Sequence, residues 1–170
     1  RMGEIEAAIG IEQLKKLPSL VMQRQLIAKR LDEGLKDLIG LNLPLSTEES
    51  SNVYYAYGMS LDLDLIPVSR DTIHSALVAE GVTISKAFQL IHLLPLYQKK
   101  IAYGSKGFPW SSDICKRKIN YDKGICPVAE KMQDTSYLAL GLCSFDWNEE
   151  DVDLVVESFK KVWNNMEKLK

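Results

Sequence analysis

The chain has 170 residues, enough for one domain with a buried core, and its 46% hydrophobic and 26% charged residues are ordinary for a globular protein. A formal net charge of −2 provides no basic field for nucleic acid or a membrane surface. No apolar run approaches the roughly 20 residues of a membrane span, no signal-peptide pattern opens the chain, and Cys115, Cys126 and Cys143 are spaced too widely for a disulfide framework or a C-x-x-C metal site.

Reduced thiols in a cytoplasmic protein are the simplest reading of those cysteines, each behaving as a small hydrophobe. The first residue is Arg1, and the sequence runs straight into a helical pattern. Such a start reads as a piece of a longer protein.

The pattern predicts a helix over residues 3–17. Ile5, Ala8 and Ile9 make an apolar stripe that Ala7, Ile11 and Leu14 widen, a breadth suited to burial on more than one side. Pro18 is expected to interrupt it, because proline is tolerated in the first turn of a helix. A second helix is predicted over residues 19–38, with Leu20, Ile27, Leu31, Leu35 and Leu38 at three- and four-residue steps and Gly40 at its C-cap. Residues 43–52 form a polar connection.

Residues 53–62, VYYAYGMSLD, are aromatic and β-branched and predict a strand. A helix follows, with Ser69 as N-cap, Ile73, Ala76 and Leu77 facing inward and Gly81 ending it. Residues 82–88 predict a short second strand. The stretch from residue 90 to 124 has neither period, and a loop that long is functional or disordered. Pro127 opens a short helix over residues 127–136, and residues 137–144 predict a third strand. Asn148 caps the closing helix, with Asp151 three residues on, acids at its start and lysines at its end. Val152, Val155, Val156, Phe159 and Trp163 form its core face. The order gives an α+β fold: a small antiparallel sheet covered by helices on one face, preceded by a long helical arm. The arm takes residues 1–40 and the small domain residues 41–170.

The sequence holds no G-x-G-x-x-G, P-loop, H-E-x-x-H or G-x-S-x-G pattern. "GSKG" at 104–107 lacks a P-loop's first glycine. His74 and His92 are the only histidines, too few for a zinc site. His74 lies within an amphipathic helix, where solvation or packing explains it. Asp62 and Asp64 alternate with leucines and read as a solvated strand edge. The basic loop KRKINYDK, 116–123, is either a solvated surface or an attractor of a phosphate-bearing ligand. From the residues alone, no complete catalytic set is present.

Several segments together resemble a known family. Arg1, Met2, Glu4, Ala7, Ala8, Ile9, Gly10, Gln13 and Leu14 fit the stretch that opens the C-terminal domain of the DegT-type sugar aminotransferases. His92, Leu93, Pro95 and Tyr97 match that family's His-Leu-x-Pro-x-Tyr segment. Pro127, Ala129 and Glu130 match a Pro-x-Ala-Glu helix start, and residues 148–162 resemble the family's closing helix. The match runs in order along essentially the whole chain.

That resemblance implies the small domain of a pyridoxal-phosphate (PLP) enzyme of fold type I, working as a homodimer. The parent enzyme would move an amino group, with glutamate as donor, to a keto-sugar carried on a nucleotide. The lysine that binds the cofactor would belong to a different part of the polypeptide, so no residue here is assigned a catalytic role and the piece alone is expected to be inactive. Arg1 would act near the cofactor phosphate or substrate in the neighbouring subunit, where a guanidinium suits anions. The strip from residue 92 to 110 would line the substrate side. His92 and Tyr97 are candidates to hydrogen-bond sugar or phosphate, and Phe108 and Trp110 offer flat surfaces for a ring. Alternatively, His92 and Tyr97 pin the loop to the domain. Two other readings remain open: a dehydratase of the same family, and a non-catalytic interaction module using the apolar face of residues 3–17.

Overall fold

The computed structural model describes residues 2–47, 49–111, 115 and 117–170. Its first element is one long helix, α1 (Glu4–Leu35), of 32 residues, about 48 Å at 1.5 Å per residue. The expected break at Pro18 does not occur. Proline removes a single backbone donor, its φ is already helical, and the Ser19 hydroxyl donates to the Lys16 carbonyl at 2.8 Å in the same turn. The helix ends at Leu35, earlier than residue 38, and Gly40 lies beyond it. There, at φ +78°, Gly40 makes the turn into the sheet, and a Cβ would meet Ile66 at 2.6 Å.

The two halves of α1 have different fates. Ile27, Ala28, Leu31 and Leu35 are buried in the core. The broad stripe before Pro18, expected to be buried on more than one side, is open in this chain: Ile5 is 76% and Leu14 66% exposed.

Four strands make one antiparallel sheet: β1 (Leu41–Asn42), β2 (Tyr57–Leu61), β3 (Ile84–Ser85) and β4 (Tyr137–Leu140), in the order β1-β2-β4-β3. β1 is too short to carry a sequence period and was not expected. The other strands are shorter than predicted. Residues 53–56 are excluded from β2, where Tyr54 takes a positive φ of 50° that no regular strand accommodates. Asp62 and Asp64 sit in a turn rather than on a strand edge, the Asp62 carboxylate accepting from the Asp64 amide at 3.1 Å.

Register follows the two-residue period. Tyr57 opposes Leu140 and Met59 opposes Leu138, so their side chains share the core face. The C-terminal half of α1, α2 (Arg70–Ala79) and α5 (Glu149–Asn164) supply the remainder of that core, including Leu31, Ile73, Leu77, Val152 and Phe159. Each such side chain contributes roughly 1.5–3 kcal/mol by leaving water. α1 and α5 touch closely at Gly34, where a Cβ would lie 2.6 Å from a Val156 methyl. α2 starts on the expected Ser69 cap, which accepts from the Thr72 amide. α5 starts on a complete capping box between Asn148 and Asp151.

Between β3 and β4 the chain leaves the core for the long strip. It contains a 3-10 turn at Ile91–Leu93 and the one-turn helix α3 (Pro95–Gln98), then returns through α4 (Pro127–Lys131) and a π-helical turn at Met132–Ser136.

Candidate functional site

The strip is held in place by its two ends. Pro95 begins α3 in the position where its missing N–H costs nothing, and Pro127 does the same for α4. α4 is short, yet it places Glu130 with its side chain 7% exposed. The Glu130 carboxylate accepts from the Gly124 amide at 2.7 and 2.8 Å, the Cys126 amide at 3.2 Å and His92 Nε2 at 2.9 Å. An ionised carboxylate only accepts, so His92 Nε2 is the donor of that pair. Chiefly the Gly124 amide, then the Cys126 amide and His92, hold the Glu130 carboxyl below its usual range, against the opposing effect of burial.

Gln98, at the end of α3, adds a second tie. Its amide donates to the carbonyls of His92 at 2.8 Å and Tyr121 at 2.6 Å. A third tie is aromatic. Tyr97 packs against Tyr121 with ring centres 5.2 Å apart and edge-on against Trp110 at 6.2 Å, and the Trp110 indole N–H donates to the Tyr121 hydroxyl at 3.0 Å. Gln98 thus bonds to both arms of the excursion, and Tyr97 on the outgoing arm packs against Trp110 and Tyr121 on the returning one.

Beyond these ties the surface is basic and aromatic. Lys99, Lys100, Lys106, Arg117, Lys118 and Lys123 are all exposed, with Asp122 the one carboxylate among the described residues of 99–123. Phe108 is 45% and Tyr103 73% exposed, and their rings lie 6.1 Å apart across a β-bridge between the two residues. Such a surface can attract a phosphate-bearing group and lay a flat ring against a planar or sugar ring.

The four strip residues singled out from the sequence thus fall into two groups. His92, Tyr97 and Trp110 are joined through Gln98 and Tyr121, with His92 Nε2 and the Trp110 indole N–H committed to protein partners. Phe108 stands apart on the outer turn. Arg1 lies outside the described residues. Glu130, Gln98 and Tyr121 were given no role from sequence. Glu130 appeared only as part of a matched motif, and nothing local marks the other two, because their partners are 6 to 23 residues away. His74 packs: its Nε2 lies 3.2 Å from the Ile84 carbonyl of β3.

Among the described residues no three or more His, Cys, Asp or Glu side chains gather to hold a metal, and no helix is long and apolar enough to cross a membrane. Nor do these residues alone fit PLP. The Gly124 and Cys126 amides, which could have cradled a phosphate, are taken by Glu130. None of the described lysines is buried, and the half-buried Lys86 is paired with Asp71 at 3.1 Å.

Comparison with known proteins gives a consistent result. The sequence model of the DegT/DnrJ/EryC1/StrS aminotransferase family matches residues 1–158. The chain is 26% identical over 162 residues to the spore coat polysaccharide biosynthesis protein SpsC of Bacillus subtilis, covering 95% of this chain and 36% of that protein. It is 28% identical over 120 residues to the dTDP-4-dehydro-2,3,6-trideoxy-D-glucose 4-aminotransferase of Saccharopolyspora spinosa, covering 69% of this chain and 28% of that protein. The fold matches that of DesV from S. venezuelae, crystallised with a ketimine intermediate, with a TM-score of 0.69 at 20% identity, over 96% of this chain and 37% of that one. The chain spans about a third of the length of the curated relatives it matches.

Proposed function

Because this chain belongs to the DegT/DnrJ/EryC1/StrS aminotransferase family, we propose that it is the C-terminal part of a PLP-dependent enzyme that aminates a nucleotide-linked keto-sugar with glutamate as donor. The observation that carries this reading is the family match itself, which runs through the arm, the strip and most of α5. The aminotransferase among the relatives acts, by its name, on a dTDP-linked dehydro sugar, and supports the same substrate class here. The basic and aromatic strip supports it independently, since a nucleotide-sugar brings a diphosphate and rings to be bound.

In this reading residues 1–40 are the arm reaching toward the larger remainder of the enzyme, and residues 41–170 are the small domain that closes the substrate side. Arg1 serves the cofactor phosphate or substrate, in the neighbouring subunit of a cytoplasmic homodimer. His92, Tyr97, Phe108 and Trp110 form the wall facing the sugar-nucleotide. PLP, held by residues beyond this chain, supplies the electron sink. What these residues contribute is binding and orientation of the substrate.

The test is an assay of the full-length enzyme with glutamate and a set of nucleotide keto-sugars. Equal amounts of 2-oxoglutarate and amino-sugar nucleotide are expected. Loss of water from the sugar without nitrogen transfer would replace the reading with the dehydratase one, and absence of any turnover would favour a non-catalytic module. In the same assay, Arg1→Ala is expected to lower activity well beyond any change in stability.

A further inference from the structure

We propose that Glu130 is the positioning residue of the substrate-side strip: one buried carboxylate, fed by His92, fixes where the described residues of the cationic and aromatic loop 99–123 stand. This rests on the functional reading above and adds a residue and a role to it. Four hydrogen bonds converge on the Glu130 carboxylate, and they come from both flanks of the loop. His92 lies before it; Gly124 and Cys126 lie after it. Among the described residues no other side chain is bonded to the Gly124 or Cys126 amide. Gln98 and the Tyr97–Trp110–Tyr121 ring cluster brace the interior. Without Glu130 two backbone amides and a histidine N–H lose their acceptor, and the exit of the loop is free to re-form elsewhere.

The bonding is uneven between the two oxygens, and this gives a clean discrimination. Oε1 accepts from His92, Gly124 and Cys126, whereas Oε2 accepts only a share of the Gly124 amide. Glutamine can place its carbonyl oxygen where Oε1 stands and keep the bonds from His92, Gly124 and Cys126 there, losing only the Oε2 share of the Gly124 amide, which its NH2 would face, so Glu130→Gln keeps most of the anchor while abolishing the charge. Alanine removes both. A positioning role and a role in moving protons or charge thus separate. Glu130 lies beneath the loop and is 5% exposed, which suits the first.

In the full-length enzyme, Glu130→Ala is expected to raise KM for the nucleotide-sugar about ten-fold or more with kcat within about two-fold. Glu130→Gln is expected to recover most of that loss. Hydrogen exchange, read without substrate, is expected to quicken at least ten-fold at Gly124 and Cys126 in the alanine variant and to stay unchanged in β4 and α5. Unaltered exchange at Gly124, or unaltered KM beside faster exchange, overturns the proposal. So does a collapse of kcat in Glu130→Gln, which would make the charge itself the agent. Loss of protection throughout β4 also overturns it, making Glu130 a general core residue. If the wild-type enzyme accepts no nucleotide-sugar while alanine still frees the two amides, the functional reading falls and the anchor stands.

Discussion

The Tyr57 hydroxyl on central strand β2 donates to the Asp32 carboxylate on α1 at 2.5 Å, joining the helical arm to the middle of the sheet. Burial pushes both groups up from their ordinary values, and for Asp32 the hydrogen bond from Tyr57 only partly offsets it. Removing the donor with Tyr57→Phe leaves a half-buried carboxylate unpaired and is expected to cost about 1–3 kcal/mol in urea unfolding at neutral pH. A raised acid opposes folding only once ionised. Its penalty is absent below the ordinary aspartate range and grows as pH rises through the raised value. Asp32→Asn should therefore flatten the wild-type fall in stability just above that range, read as urea midpoints at several pH values. A variant curve parallel to wild type would remove Asp32 as the cause.

Arg30 ties α1 to α5 with a two-pronged contact to Asp153, at 2.8 and 2.7 Å, and a third bond to Glu149 at 2.9 Å. Arg30 holds the Asp153 carboxyl below its usual range. A depressed acid gives stability above the ordinary aspartate range and loses it as pH falls through the lowered value. The Tm gap between wild type and Arg30→Met should thus be present at neutral pH and close on acidification below the ordinary aspartate range. Added salt should narrow it too, since the pair is solvent-exposed.

Gly34→Ala pits two rules against each other. Helix propensity favours alanine by up to about 1 kcal/mol in a helix interior, and by less at Gly34 in the last turn of α1. The new Cβ would stand 2.6 Å from Val156, a buried and β-branched neighbour that cannot swing away. Overpacking of this kind costs roughly 1–3 kcal/mol, so net destabilisation is expected. Gly34→Ala with Val156→Ala should recover the overpacking loss, a coupling that a double-mutant cycle measures directly.

Pro18→Ala restores the backbone donor missing from α1. About 3 kcal/mol separates proline from alanine in a helix interior. The gain should appear as slower amide exchange on the residues around position 18, with little change in the core amides of β2 and β4. Equal protection in both proteins would mean that Pro18 costs the helix nothing.

Phe159 is fully buried and stacks on Trp163 with ring centres 5.8 Å apart. Phe159→Ala is expected to lose about 3–5 kcal/mol. Leu14→Ala, equally apolar in sequence but 66% exposed in this chain, should change the chain's unfolding free energy by no more than about 0.5 kcal/mol. A large loss at Leu14 in the chain alone would show that the first half of α1 is covered.

What the sequence determined by itself was whatever depends on near neighbours. Ser69 and the Asn148–Asp151 pair start helices because caps bond three residues ahead. The period of Val152, Val156 and Phe159 marked the buried face of α5, and the aromatic and β-branched run around Tyr57 marked a strand. The ordered motifs from Arg1 to the closing helix carried the family. The tertiary structure decided what depends on distant partners. Local rules expected Pro18 to divide a helix that runs straight through it, because one missing donor is cheaper than ending a long helix. They could not separate the buried Leu31 from the exposed Leu14, which differ in what lies opposite and not in chemistry. The same holds at the candidate site. His92 and Glu130 are 38 residues apart, and Gln98 and Tyr121 are 23 apart. Hydrogen bonds across such gaps arise only once the sheet and helices have brought the two flanks of the strip together, so no spacing in the chain could announce them.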